Sequence, residues 1–245
     1  MSSRKQNTRM KLSVVVPAYN EEKLLPETLL AIGRATTDLS SEISVVDNES
    51  TDKTARIASD FGARVLTESE RNIAKVRNTG AQAASGDVLI FIDADTIVTA
   101  ELFRKIAAAM RDEKCFGGAV AVEYGEFERK WMRYYLYGWK FWEKFFNMKQ
   151  GAAQFCRREV FEDLGGYDTG IYVGEDIEFY WRLTKFARAN KGHLFFVQSP
   201  TVKTSARRLD KISFLKTFIL MNPIYIRLLW RKKAFWKFWY EKTVR

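Results

Sequence analysis

The sequence predicts an α/β protein built on a mixed, mainly parallel sheet flanked by helices. Three observations predict it. Short apolar runs alternate with helix-spaced stretches through the first hundred residues. Val88-Leu89-Ile90-Phe91-Ile92 is apolar at every position, as expected of a central strand covered on both faces. Hydrophobic residues make up 47% and aromatic residues 14% of the 245 positions, enough to build a buried core and too much for a disordered chain.

The elements follow in order. Ser13-Val14-Val15-Val16 is a β-branched run expected to stop at Pro17, and residues 22–35 have helical spacing in Leu25, Leu29 and Ile32. Ile43-Ser44-Val45-Val46 ends at Asp47, where Ser50, Thr51 and Asp52 offer N-caps for a helix reaching about Phe61. Arg64 to Leu66 is a third short strand, residues 73–84 a third helix closed by Gly86, and residues 88–92 the central strand. After about Gly117 the rhythm changes. Glu128 to Lys149 is aromatic and basic, Gln150 to Phe155 reads as a returning strand, and Phe161 to Tyr167 leads through Gly165-Gly166 to an acidic cluster at Glu175-Asp176-Glu178. A helical stretch (Phe179, Leu183, Phe186), a strand over His193 to Gln198 and one or two helices over Lys211 to Val244, broken near Pro223, complete the chain.

Strand–helix alternation implies right-handed parallel connections, and in such sheets ligands sit beyond the carboxyl ends of the strands. The polar residues just after each strand are therefore the informative ones: Tyr19, Asn20 and Glu21, then Asp47, then Asp93 and Asp95.

Composition narrows the setting. Cys115 and Cys156 make neither a metal-ligand pattern nor a disulfide framework, so a reducing compartment and a buried apolar role are expected. Met1 to Lys11 is polar and basic without the apolar core of a signal peptide. Ile212 to Trp230, the best membrane-spanning stretch, is interrupted by Lys216, Asn222, Pro223 and Arg227. The net charge of +10 is uneven: residues 203–245 hold twelve Lys or Arg against Asp210 and Glu241, so the preceding residues balance.

No Gly-x-Gly-x-x-Gly turn and no Gly-x-x-x-x-Gly-Lys loop follows any strand, so a bound nucleotide would need another partner for its phosphates. Asp93-Ala94-Asp95-Thr96 offers one. Carboxylates two residues apart at the exposed end of a buried strand can hold a hard divalent cation, Mg²⁺ or Mn²⁺, which bridges phosphate oxygens. The rival reading is a capping role for Asp95 or Thr96 on a helix near Ala100.

Val14-Val15-Val16-Pro17-Ala18-Tyr19-Asn20-Glu21-Glu22 resembles the opening strand and nucleotide loop of glycosyltransferase family 2, the inverting GT-A enzymes. Val45-Val46-Asp47-Asn48-Glu49-Ser50-Thr51-Asp52-Lys53-Thr54 resembles that family's second nucleotide loop. Arg71-Asn72, Lys75-Val76-Arg77-Asn78-Thr79-Gly80 and Ser85-Gly86-Asp87 are similar to the lead-in to its metal strand, and Asp93-Ala94-Asp95 falls at its Asp-x-Asp. Gly165-Gly166-Tyr167-Asp168 and Gly174-Glu175-Asp176-Ile177-Glu178 resemble its acceptor region and Glu-Asp catalytic pair. Together these motifs cover roughly residues 11–205, and it is their order, not any one of them, that is specific.

The resemblance implies a GT-A fold with a Rossmann-like nucleotide half over about 11–115 and an acceptor half over 116–205. A basic aromatic helical extension over 206–245 would follow. It implies that Pro17 and Tyr19 border the base, that Glu21 lies near the ribose and that Asp47 accepts from the base ring N–H. It further implies that Arg77 approaches the diphosphate, that Asp95 is the principal metal ligand supported by Asp93, and that Asp176, with Glu175 beside it, is the general base. Rival structural roles are a core aromatic for Tyr19, a helix-start charge for Glu21 or the Glu175-Asp176 pair, and an ion pair for Arg77.

Two departures matter. No Gln-x-x-Arg-Trp segment follows Asp176, which argues against a polymerising enzyme. Where many members place a further histidine ligand, this chain reads Thr201-Val202-Lys203-Thr204-Ser205-Ala206-Arg207-Arg208, and its one histidine, His193, lies before the strand.

Trp131, Trp139 and Trp142, then Trp230, Trp236 and Trp239, alternate with Lys and Arg, a composition suited to an anionic membrane surface or to mutual packing. Nucleic-acid binding would explain the charge but leaves the acidic site idle. The expectation is thus a cytoplasmic, non-processive inverting glycosyltransferase, peripheral at the cytoplasmic face of the membrane. It would take a UDP- or GDP-sugar donor, a lipid-linked or glycan acceptor and a divalent metal. The alternatives are transfer to a polyprenyl phosphate, or a non-catalytic nucleotide-binding or membrane-adaptor module.

Overall fold

The computed structural model describes residues 10–211, 213–214, 217 and 222–242, without the side chains of residues 140, 144, 223, 237–239 and 241–242. The expectations for the N-terminal tail before residue 10, for the Trp239 ring and for much of residues 212–221 lie outside the described residues.

Eight strands form one sheet: β1 (Leu12–Ala18), β2 (Ser41–Asp47), β3 (Arg64–Thr67), β4 (Val88–Ile92), β5 (Thr96–Ile97), β6 (Cys115–Tyr124), β7 (Ala153–Arg157) and β8 (His193–Thr204). The spatial order is β3-β2-β1-β4-β7-β6-β8-β5. β1, β2, β3 and β4 run parallel, β7 pairs antiparallel with β4 and β6, and β8 runs parallel to β6. β1 to β4 thus run parallel as expected, and β7 is the returning strand, shifted to begin at Ala153. β6, β5 and the far half of β8 went unread because their pairing is long-range and their alternation weak.

Helices are α1 (Leu25–Thr36), α2 (Thr54–Asp60), α3 (Ile73–Gln82), α4 (Ala100–Ala109), α5 (Lys130–Phe145), α6 (Arg158–Asp163), α7 (Glu175–Ala189) and α8 (Arg207–Asp210), followed by helices Pro223–Leu229 and Lys233–Lys242. Local chemistry explains their starts. Pro26 sits in the first turn of α1. Asn72 caps α3 by accepting from the Lys75 N–H, and Thr99, not Thr96 or Asp95, caps α4 by accepting from Leu102. At α2, Asp52 accepts from the Thr54 N–H at 2.9 Å, whereas Ser50 and Thr51 are spent on the neighbouring loop.

β4 shows why its run is apolar throughout. Ile90 and Ile92 face a core with Leu29 and Ile32 of α1 and Leu102, Phe103 and Ile106 of α4. Leu89 and Phe91 face a second core with Ala74 and Val76 of α3, Tyr167, and Phe179 and Leu183 of α7. Each such fully buried side chain contributes about 1.5–3 kcal/mol of apolar burial. Pro17 does not end β1, contrary to expectation. The register with β4 stops at Val15↔Phe91, so Pro17 has only β2 beside it and its missing N–H breaks no ladder on the other side. Gly118 permits the β6–β8 contact: a Cβ there would lie 1.8 Å from the Phe195 carbonyl oxygen.

The aromatic, basic stretches pack on one another. Trp139 of α5 clusters with Ile177, Ile226 and Trp236, and Trp230 is also buried. Trp131 meets Phe214 edge-on and Trp142 stacks on Phe146, so packing accounts for five of the tryptophans in these stretches. α5 exposes further aromatics at Tyr134, Tyr137, Phe141 and Phe145, and Phe214, Tyr225 and Phe235 are exposed later in the chain. Among the described residues no helix is long and apolar enough to cross a membrane. Cys115 and Cys156 are free and buried, and His193 is exposed on the sheet edge opposite Asp112.

Candidate active site

A cavity of about 260 Å³ opens beyond the carboxyl ends of β1, β2 and β4. Pro17 and Tyr19 from the end of β1, Arg77 from α3, Asp93 and Asp95 after β4, and Glu175 and Asp176 at the start of α7 all line it. Glu21 and Asp47 are buried and do not line it, although Arg208, a partner of Glu21, and Asn48, next to Asp47, do.

The first two strand-end loops are stitched to each other. Asn20, at φ 53°, donates its N–H to Ser50 Oγ at 3.0 Å and accepts from the Thr51 N–H at 2.8 Å, while the Glu21 N–H donates to Thr54 Oγ1 at 2.8 Å. Asp47 accepts from the Ser50 N–H at 3.2 Å through Oδ2. Its Oδ1 is buried with no hydrogen-bond partner among the described residues, a state that costs free energy unless a donor arrives. The Arg71 guanidinium lies 3.6 Å above the centre of the Tyr19 ring.

Arg77, 3% exposed, is the hub. It donates to Glu175 Oε1 at 2.5 Å and to Asp93 Oδ1 at 2.9 Å, joining α7 to the end of β4. Burial acts against its charge, but Asp93 and Glu175 outweigh that and hold it protonated. Glu175 is pushed up by burial and by the neighbouring Asp176 charge, against the pull of Arg77. Asp176 is also raised by burial, with Arg77 and the N–H groups of Ile177 and Gly151 opposing. Those two N–H groups, at 2.8 and 2.5 Å, fix the Asp176 carboxylate in the cavity wall.

α7 is placed by its own turn. Gly174 has φ 85°, a left-handed conformation that lets the chain enter the helix with its acids at the positive end of the dipole. Arg182 of α7 donates to the carbonyls of Leu164 and Gly166 at 2.8 Å each. Asn78 of α3 exchanges hydrogen bonds with the Tyr167 backbone at 2.9 Å. The Gly165-Gly166 segment therefore serves to dock α7 onto α3.

At the acidic triplet, Asp95 Oδ1 accepts from Thr204 at 3.1 Å and Asp93 Oδ1 from Arg77. Burial raises Asp93, with Arg77 opposing and Asp95 adding to the rise. One oxygen of each carboxylate accepts no hydrogen bond among the described residues, which suits a hard cation completed by phosphate and water. No group of three or more His, Cys, Asp or Glu side chains among the described residues forms a closed metal cage.

Sequence reasoning missed the contribution from beyond residue 205. Both oxygens of Glu21, 1% exposed, are taken by guanidiniums: Oε2 by Arg207 and Oε1 by Arg208 at 3.0 Å. Arg208, Leu209, Ile226 and Tyr240 line the same cavity. Tyr124 and Gln150, hydrogen bonded to each other at 2.8 Å, close another side. The one sequence signal for these was the histidine missing from the region 201–208, which ends in Arg207-Arg208.

The glycosyl transferase family 2 model matches residues 13–165. Glycosyltransferase AglE of Haloferax volcanii is 28% identical over 193 residues, 71% of this chain and 61% of the relative. A dolichol-phosphate mannosyltransferase of Pyrococcus furiosus is 33% identical over 108 residues, 42% of this chain and 31% of the relative. The chain thus spans less than two thirds of either. Among solved structures, TarS 1-349 of S. aureus in complex with UDP superposes with TM-score 0.63 at 20% identity, covering 82% of this chain and 62% of that one. The mannosyltransferase PcManGT of Pyrobaculum calidifontis in complex with GDP-Man and Mn²⁺ gives 0.61 at 20% identity, covering 81% and 57%. The chain has the GT-A fold and belongs to glycosyl transferase family 2.

Proposed function

We propose that this protein transfers a sugar from a nucleotide-diphosphate donor to an acceptor hydroxyl, with inversion, one residue at a time, and with a divalent cation, Mg²⁺ or Mn²⁺. The observation that carries this reading is the Arg77 bridge, which binds the Glu175-Asp176 pair and the Asp93-Ala94-Asp95 triplet to one cavity. Asp93, Asp95, Glu175 and Asp176 line that cavity with Arg71, Arg77 and Arg208, and Glu21 pairs with Arg207 and Arg208, so the wall offers a diphosphate no surplus of positive charge. Asp93 and Asp95 would hold a cation, which would supply that charge and offset the charge developing on the diphosphate.

The remaining steps fall to the chain itself. Asp47, through its unpartnered Oδ1, accepts from the base ring N–H, and Pro17 and Tyr19 flank the base. Asp176, held by two N–H groups with lone pairs to spare, takes the proton of the acceptor hydroxyl. As that oxygen bonds to the anomeric carbon, the bond from that carbon to the diphosphate breaks and the electron pair leaves with the nucleotide.

A second reading has a specific support, the likeness to a dolichol-phosphate mannosyltransferase. A phosphate acceptor is already anionic and needs little from a base. Asp176→Asn separates the two: a loss of about 10²- to 10⁴-fold in turnover supports hydroxyl attack, and a mild loss supports phosphate attack. For the donor, thermal shifts with UDP, GDP, ADP and CDP, each with and without Mn²⁺, are the direct test. Cation-dependent stabilisation by one of them names the donor class. No stabilisation by any, with Asp95→Ala unchanged from wild type, would overturn the reading.

Peripheral contact with an anionic membrane at its cytoplasmic face completes the proposal. It is supported by the exposed Tyr134, Tyr137, Phe141 and Phe145 on α5 together with Arg133, Arg227, Lys232 and Lys233, which are also exposed.

A further inference from the structure

Arg207 and Arg208 stand on α8, whose backbone is anchored. Asp210 accepts from the N–H groups of Glu128 and Arg129 at 3.3 and 3.4 Å, and Leu209 packs against Met132. From there the two guanidiniums reach back over the ends of β1 and β4. They hold Glu21 between them, and Arg207 Nε lies 4.0 Å from Asp95 Oδ2. The Nε of Arg207 and of Arg208 are both buried without a hydrogen-bond partner among the described residues. Arg208 lines the cavity beside Asp93 and Asp95.

Two features of this arrangement are unexplained by structural pairing alone. A buried Nε–H left unbonded is costly, and a planar guanidinium with one edge on Glu21 still has donors to offer an oxyanion. The guanidiniums also sit against the carboxylate that a divalent cation would use. Cation and arginine repel each other there unless an anion lies between them.

We propose that Arg208, with Arg207 beside it, is the diphosphate clamp of this site, and that the pair disfavours divalent cation binding at Asp93 and Asp95 until a nucleoside diphosphate is present. The inference rests on the nucleotide-donor reading above and deepens it. Glu21 holds the two guanidiniums in the free protein. When a diphosphate enters, its oxygens take the guanidinium donors, the repulsion toward the cation falls, and cation and nucleotide bind cooperatively. Arg208 then acts on the leaving group.

The test is a titration of the full chain, wild type and Arg208→Gln, with Mn²⁺ alone, with uridine or guanosine, and with UDP or GDP in saturating Mn²⁺. Two opposite changes are expected in Arg208→Gln. Affinity for the nucleoside diphosphate falls about 10- to 100-fold while that for the nucleoside is unchanged. Affinity for Mn²⁺ alone rises at least about fivefold, because the competing charge is gone. Arg208→Lys, which keeps the charge, should lose diphosphate affinity without the gain in Mn²⁺ affinity, and it serves if Arg208→Gln fails to fold. The clamp is overturned if Arg208→Gln binds the diphosphate as wild type does, or if its affinity for Mn²⁺ alone does not rise. If wild type itself binds no nucleoside diphosphate, the donor reading fails and takes the clamp with it.

Discussion

Arg77 donates to Glu175 at 2.5 Å and to Asp93 at 2.9 Å, so one guanidinium joins residues 98 and 16 positions away from it in the chain. Removing it leaves the buried Glu175 and the half-buried Asp93 carboxylates without their cation. Arg77→Ala should destabilise the protein by roughly 3–5 kcal/mol, lowering the thermal midpoint by on the order of 10 °C. Arg77→Lys restores the charge but cannot span both partners, and it should fall between. Calorimetry of the three proteins checks the order.

Asp47 offers the sharpest test of base recognition. Asp47→Asn keeps the size and can still accept from the Ser50 N–H, but it replaces a charged acceptor with a neutral amide. Nucleoside diphosphate affinity should fall about 10- to 100-fold, equally with and without Mn²⁺, since the proposed role of the residue is toward the base and not the phosphates. Isothermal titration at several Mn²⁺ concentrations measures it.

Glu42 predicts how stability depends on acid. Burial acts to raise its carboxyl, but hydrogen bonds from Lys11, Ser13 and Ser85 prevail and hold it down to about 2 from an ordinary 4.5. The folded value is the lower one, so its stabilisation is full above about 4.5 and disappears as pH falls through about 2. Glu42→Gln should be less stable at neutral pH and show a shallower decline across that window. Urea titrations between pH 7 and 2 decide it.

The outer face of α5 makes a fourth prediction. Tyr137→Ser, Phe141→Ser and Phe145→Ser together replace exposed rings only, so the thermal midpoint should hold while co-sedimentation with anionic vesicles drops several-fold. Equal sedimentation of mutant and wild type would remove the support for membrane contact through this helix.

Much of the nucleotide half was legible because its signals are local. An apolar run such as residues 88–92 reads as a strand wherever it sits, and a polar residue just after it must lie at the ligand end of a parallel sheet. Tyr19, Asp93 and Asp95 were thereby placed at one rim before any contact was known. The caps were less legible. Thr96 and Asp95 looked like suitable N-caps for α4, but Thr96 pairs with Thr204 and Asp95 faces the cavity, so Thr99 does the capping.

Periodicity and short-range chemistry are enough to fix the class of sheet, the strand-end acids and the Glu175-Asp176 pair at a helix start. Which charges meet is set by long-range packing. Glu21 and Arg208 lie 187 positions apart, and nothing in local propensity couples them; packing α8 onto the start of α5 brings them together. The basic segment read as separate from the catalytic body thus supplies Arg208, Ile226 and Tyr240 to its cavity, because burial of its aromatic face pulls it over the open end of the sheet.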